Sequence, residues 1–250
     1  MTKVYSIVIR KGGSGKTTTA VNLTQALLQR RRRVLLVDLD PQGDSTKHVG
    51  LRPRQLHQSI NTLFTKIGVD PHDIVQTTEY GLSIMPANRD LEETDRSMKA
   101  TQVGLLKPII EALAEDYEYI IIDTRPAESY LTFNALFAST HALIPMQTEY
   151  FAMDGLVDTL KDISDVKRGL NPSLTLVGIL PTQVRATTNL AKTVLEEVGQ
   201  EYHQLILPVS IRHSVKLGEA AYAGMPGLLY APESEAAKDY IRLAEVIDHA

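Results

Sequence analysis

Lys11-Gly12-Gly13-Ser14-Gly15-Lys16-Thr17-Thr18 separates an apolar run, Val4-Tyr5-Ser6-Ile7-Val8-Ile9, from a stretch in which Ala20, Leu23, Ala26 and Leu27 recur at helical spacing. The run reads as a buried strand, and the spacing predicts a helix over Thr17–Leu28. A glycine-rich turn in that position lets successive backbone N–H groups curl around a phosphate, and the following helix presents its positive end to the same anion. In the pattern G-x-x-x-x-G-K-[ST], Lys16 would reach the β/γ-phosphates and the Thr17 hydroxyl would ligand Mg2+. The implied ligand is a nucleoside triphosphate. One departure stands out: the first glycine of the pattern is Arg10, and a second lysine, Lys11, stands just before the glycine pair.

Further continuous apolar runs lie at Val34–Val37, Tyr119–Ile122, Ala142–Pro145 and Leu174–Leu180. Helical patterns separate them at Val103–Ala114, Tyr130–Phe137, Met153–Val166 and Asn189–Glu201, and another closes the chain at Glu233–Ile247. Buried runs alternating with helices predict an α/β fold: a doubly wound, mostly parallel sheet with helices on both faces. Arg52 to Asp73 is the least patterned part and reads as short helices and loops. No Ser/Gly linker, internal repeat or low-complexity stretch interrupts residues 1–250, so a single domain is expected.

Composition narrows the function. The 250 residues carry a formal net charge of −4, which argues against a chain that coats nucleic acid by bulk charge, although a local basic face stays possible. Cys is 0, which removes disulfides, thiolate metal sites, iron–sulfur clusters and cysteine nucleophiles together. The seven histidines have no paired ligand spacing, so no metal is assigned beyond phosphate-bound Mg2+. No run approaches a membrane span and no signal peptide precedes the first strand, so the expected location is cytoplasmic.

Asp38 and Asp40 stand at the C-terminal end of the second strand, the edge where parallel sheets bind ligands. Alternation puts both on one side of the chain. Asp123 ends the Ile120-Ile121-Ile122 run in the same manner.

The loop Lys11–Thr18 resembles the deviant Walker A box of the ParA/MinD class of P-loop ATPases. Val37-Asp38-Leu39-Asp40-Pro41-Gln42-Gly43 resembles that class's switch I, and Ile122-Asp123-Thr124-Arg125-Pro126 its Walker B and switch II. Tyr80–Leu82, Pro86–Asn88, Gln147–Ala152 and the tail from Val215 to Ala237 also look like family segments, and the likeness is closest to ParA-like (Soj-like) partition ATPases. The resemblance implies an Mg-dependent ATPase with ATP bound at Gly12, Gly13, Ser14, Gly15, Lys16, Thr17 and Thr18. It implies that Lys11 crosses a dimer interface to the partner's ATP, stabilising the charge that develops on the γ-phosphoryl oxygens. Asp40 would orient or deprotonate the attacking water, Asp38 would support the Mg2+ shell or the switch, and Asp123 would hold Mg2+ through water. The adenine would lie near Gln183 and Pro208. Arg125, where the class has proline, could contact phosphate, partner or adaptor, or be an exposed loop residue.

Two cationic groups remain. Arg30-Arg31-Arg32-Arg33 closes the first helix, where cations favour the negative helix end, and reads as a solvated turn rather than a nucleic-acid patch. Arg185, Lys192, Arg212, His213 and Lys216 lie in segments that correspond to the family's DNA-binding surface, with Arg185, Arg212 and Lys216 the candidates. With no aromatic interleaving, phosphate-only contact fits this set better than stacking.

The resemblance thus implies a homodimer that sandwiches ATP, binds double-stranded DNA without sequence preference, and positions a cargo through a ParB-like or other adaptor that stimulates hydrolysis. Its ATP-bound form would be nucleoid-associated. The cargo could be a plasmid or chromosome complex or a protein assembly. No helix-turn-helix segment precedes the loop, so sequence-specific operator binding by such a domain is not expected. Two alternatives stay open: a metabolic ATP-dependent ligase on the same fold, and a MinD-like membrane-cycling ATPase. The acidic tail Glu233–Ala250 suits the last poorly, and no membrane partner is expected.

Overall fold

The computed structural model describes residues 2–149, 152–185 and 188–249, leaving out the side chains of 152, 189, 190 and 192. Tyr150 and Phe151 of the family-like segment at Gln147–Ala152, and the Lys192 side chain, therefore lie outside the described residues.

Among the described residues seven strands form one sheet: β1 (Lys3–Ile7), β2 (Val34–Leu39), β3 (Gln76–Thr77), β4 (Ser83–Met85), β5 (Tyr119–Thr124), β6 (His141–Gln147) and β7 (Thr175–Thr182), in the order β3-β4-β2-β5-β1-β6-β7. All neighbouring pairs are parallel except β3 with β4. Every residue of β2 and β5 is buried, as expected of central parallel strands covered on both faces. The short edge pair β3–β4 went unread in the sequence, because two- and three-residue strands have no periodicity to detect.

The helices are α1 (Lys16–Gln29), α2 (Asp44–His48), α3 (Ile60–Thr65), α4 (Leu91–Ser97), α5 (Leu106–Leu113), α6 (Tyr130–Ala138), α7 (Ala152–Gly169), α8 (Asn189–Tyr202), α9 (Val215–Ala223), α10 (Gly227–Tyr230) and α11 (Glu235–His249). The helix expected from Val103 begins only at Leu106. Gly104 has φ +127, and its N–H is held with that of Leu106 by the Asn134 side chain, so the chain turns before the helix starts.

Helices α1 and α11 cover one face of the sheet through Leu23, Leu27, Tyr240, Leu243 and Ile247. Leu91, Leu106, Ile110, Leu131 and Ala135 cover the other face. The chain leaves β1 through α1 toward β2 on one side, and leaves β5 through α6 toward β6 on the other. The loops after β1 and β5 thus diverge, opening the crevice in which doubly wound sheets hold ligands.

The arginine run is tied down at the opposite edge of the sheet. Arg30 and Arg32 both donate to the Asp248 carboxylate, which also accepts from Tyr119 Oη at 2.8 Å, and Arg32 and Arg33 meet Glu118. Only Arg31 and Arg33 are exposed. The run is therefore less a solvated turn than an anchor joining the end of α1 to α11. This clasp holds the Asp248 carboxyl well below the usual carboxylate range.

Candidate nucleotide site

Gly13 and Gly15 have φ +74 and +86, left-handed values in which a Cβ is strained, and Gly15 opens α1. From the side, Thr182 Oγ1 donates to Ser14 O at 2.7 Å and Gln183 Nε2 to Gly13 O at 2.6 Å. Gln147 Nε2 in turn holds Gln183 Oε1 at 3.1 Å. The ends of β6 and β7 thus set the shape of the loop.

Lys16 is 6% exposed and donates to Lys11 O at 3.0 Å. Burial pushes its ammonium pKa down, and Asp123 and Asp40 oppose the shift. Lys11 Nζ stands 3.9 Å from the exposed Glu149 carboxylate, a long pairing that competes weakly with any other anion. Arg10, the residue in place of the first glycine, forks onto Asp162 of α7 at 2.7 and 2.5 Å and reaches Glu128 at 3.0 Å. Its N–H also meets Thr159 Oγ1. Arg10 thus fixes the root of the loop to α7 and to the segment after β5.

The three carboxylates converge because β2 and β5 pair in register, Asp38 opposite Asp123. Asp38 is fully buried and accepts from Thr46 Oγ1 at 2.6 Å, Thr46 N at 2.8 Å and Asp40 N at 3.1 Å. Burial and the Asp123 charge push its pKa up, against those three donors. Asp123 accepts from Ser45 Oγ at 2.7 Å; burial raises its pKa, while the Ser45 and Thr17 hydroxyls and Lys16 oppose. Asp40 is 7% exposed and takes the Gln42 N–H at 2.9 Å. Burial pushes this carboxyl up too, with Arg125 and Lys16 acting the other way.

Asp123 Oδ1 is buried with no hydrogen-bond partner, beside Thr17. A hard oxygen-seeking cation would satisfy it, so the donor set fits Mg2+. Ser45 and Thr46, which carry the hydrogen bonds of this pair, were missed in the sequence. Their signal was two small hydroxyl residues just after the left-handed turn at Gly43 (φ +64).

Arg125 is neither exposed nor free: it donates to the buried Asp95 of α4 at 2.5 Å, and Asp95 also takes the Leu131 N–H. Gln183 lines a cavity of about 250 Å³ beside Gly15 and Thr18. Pro208 is exposed and off that wall, where Ile211, Arg212 and Ser214 stand instead. Among the three DNA candidates, Arg185 is exposed and donates to His213 Nε2 at 3.1 Å. Lys216 is exposed beside Glu219 at 2.7 Å. Arg212 is committed elsewhere, with its side chain forked onto the buried Asp239 at 2.8 and 3.0 Å and its N–H at 3.1 Å. It ties the segment opposite Val184 to α11, while its side chain stays 46% exposed.

Fold and site together define a P-loop ATPase with a deviant Walker A loop. Residues 2–176 match the family model described as an AAA domain. The chain is 38% identical over 250 residues to the sporulation initiation inhibitor protein Soj of Bacillus subtilis, covering 99% of this chain and 98% of that one. It is 36% identical to the chromosome partitioning protein ParA of Myxococcus xanthus, over 96% and 86% of the two chains. Cobyrinic acid a,c-diamide synthase of Mycobacterium smegmatis, solved with ADP and magnesium, superposes with a TM-score of 0.86 at 33% identity, over 100% and 95%. The chain belongs to the ParA/MinD class of ATPases, among the Soj and ParA proteins.

Proposed function

We propose that this chain is an Mg-dependent ATPase that dimerises around ATP, binds DNA without sequence preference in that state, and positions a cargo through an adaptor that stimulates hydrolysis. The observation that carries this reading is the convergence of Lys16, Asp38, Asp40 and Asp123 on one sheet edge, with Lys11 at the mouth of the same loop. Lys16 and the loop N–H groups bind the triphosphate. Thr17 and Asp123 hold the metal, which when bound neutralises phosphate charge. Asp40, buried and pushed up in pKa, is suited to orient the attacking water and accept its proton. Lys11 leaves Glu149 to serve the partner's ATP, which makes hydrolysis depend on dimerisation.

Arg185 and Lys216 are the DNA contacts on this reading, and both are exposed. Helix α11 turns Ala237, Tyr240, Leu243 and Ile247 into the core, and among the described residues no helix is long and apolar enough to cross a membrane. The single-domain organisation of residues 1–250 belongs to the same proposal.

The name of the mycobacterial neighbour favours a second reading, an ATP-dependent ligase acting on a carboxylic acid. Two measurements separate them. A partition ATPase gains turnover on adding duplex DNA and adaptor, whereas a ligase gains it only with its acid substrate. Lys16→Ala should abolish ATP binding in either case, and unchanged affinity for labelled ATP would sink the assignment of the loop.

A further inference from the structure

The start of the stretch that carried the least pattern in the sequence lines one wall of an open cavity of about 690 Å³ on the switch I side of the molecule. Leu51, Pro53 and Leu56 are half-buried and give it an apolar floor, while Arg52, Arg54 and Arg89 stand exposed around it. Lys47 also lines it but is paired with Asp44 at 2.7 Å, and the one carboxylate in the wall, Asp90, takes the Asn88 amide at 3.0 Å. Among the described residues no carboxylate lies within ion-pair distance of Arg52, Arg54 or Arg89. Arg10, Arg30, Arg125 and Arg212 of the same chain all have such partners. In a chain of net charge −4, three uncommitted guanidiniums around one hollow form a local positive field.

We infer that this cavity is a docking site for an acidic segment of a partner protein, which sets carboxylates on Arg52, Arg54 and Arg89 and an apolar side chain on the Leu51–Leu56 floor. Guanidiniums match carboxylates bidentately, and the apolar anchor supplies the buried contact that usually dominates such interfaces. Duplex DNA would meet the arginines with phosphates but has no apolar group to place on the Leu51–Leu56 floor. Bare phosphate leaves that floor unused. Gln42 lines the cavity while its N–H holds Asp40, so an occupant would touch the switch I segment. That consequence rests on the ATPase reading; the docking itself does not.

The test is fluorescence anisotropy, without nucleotide, using a labelled twelve-residue peptide of alternating Glu-Asp pairs and leucines. The wild-type chain should bind it saturably and more weakly as salt rises. Arg52→Ala with Arg54→Ala, and separately Arg89→Ala, should each lower affinity tenfold or more. Arg168→Ala, on the exposed side of α7, should leave it unchanged. A peptide with serine for leucine should bind at least fivefold more weakly, and Leu56→Asp should reproduce that loss, with circular dichroism showing the fold intact. No saturable binding, equal loss in Arg168→Ala, equal binding of the serine peptide, or displacement by duplex DNA or inorganic phosphate at matched charge would each overturn the inference. None of these outcomes touches ATP binding, which is measured separately.

Discussion

Asp38 and Asp123 face each other across β2 and β5 as register partners, both fully buried. Burial favours the neutral form of each and raises both pKa values; the Asp123 charge adds to the rise at Asp38, and the Asp40 charge to that at Asp123. The Thr46, Ser45 and Thr17 hydroxyls and the Lys16 charge relieve this only in part, and Asp123 Oδ1 lacks a hydrogen bond of good geometry. The edge of the sheet is thus unsatisfied in the place where a divalent cation would satisfy it.

Replacing Asp123 by Asn tests that relationship. The amide still accepts from Ser45 but removes one buried charge. In EDTA at pH 7.5 the variant should melt a few degrees above the parent, and its ATP affinity should no longer rise on adding Mg2+. Differential scanning fluorimetry and ATP titration, with and without magnesium, read both effects. A variant that melts lower and keeps its magnesium response would place the metal elsewhere.

His48, at the end of α2, is buried with Nε2 lacking a partner, and burial pushes its pKa down to about 4. The unfolded chain binds a proton near pH 6.5, where the folded chain does not, so stability is full above that pH. It falls by up to about 1.4 kcal/mol per pH unit as pH drops from 6.5 toward 4. His48→Gln should flatten that slope in urea titrations at pH 7, 6 and 5. An unchanged difference between parent and variant across the three would remove His48 as the cause.

The nucleotide loop was legible in the sequence because its chemistry is local: glycines, Lys16 and Thr17 act through their own backbone and the next helix. The central strands were legible because β2 and β5, buried on both faces, read as unbroken apolar runs. Arg10 and Arg125 were not, since their partners Asp162 and Asp95 lie 152 and 30 residues away and only the folded sheet brings them together. The fork of Arg212 onto Asp239 was illegible for the same reason, since 27 residues separate the two.

Lys11→Ala should keep ATP binding and lose both ATP-dependent dimerisation and hydrolysis, because on the proposed reading this ammonium, held among the described residues by no ion pair but the 3.9 Å contact to Glu149, serves the partner's ATP. Asp40→Ala should bind ATP and remain dimeric without turning over. Light scattering and phosphate release report the two quantities. Hydrolysis by Lys11→Ala at the parent rate would end the sandwich-dimer reading.

Gly224 closes α9 at φ +69, and a Cβ there would lie 3.1 Å from the Gly50 Cα, in the loop after α2. Gly224→Ala should therefore cost about 1–2 kcal/mol. The same contact links the switch I helix to the helix that bears Lys216. The variant, folded at 20 °C, should need more ATP for half-maximal DNA binding than the parent. An identical ATP requirement would leave this contact a packing feature only.

Lys216 and Arg212 make the sharpest contrast on the proposed DNA face. Both are about half-exposed cations in segments that resemble the family's DNA-binding surface, and they differ in the carboxylate each is paired with. Lys216 is exposed, and its partner Glu219 sits one turn away on the same helix, a pairing that water and salt loosen. Arg212 is forked onto an Asp239 whose side chain is 3% exposed. Lys216→Ala should lower affinity for any duplex in the ATP state and make the slope of log affinity against log salt shallower by roughly one unit per subunit. The melting temperature should not move. Arg212→Ala should leave the salt slope alone and cost about 1–2 kcal/mol, because the buried Asp239 carboxylate loses the Arg212 fork and keeps only Arg242 Nη1 at 2.9 Å as a charged donor. Anisotropy with two unrelated duplexes at four salt concentrations, with and without ATP, reads the first effect and urea unfolding the second. If Arg212→Ala flattens the salt slope and Lys216→Ala does not, the two assignments are reversed; if neither moves it, the DNA face lies elsewhere on the molecule.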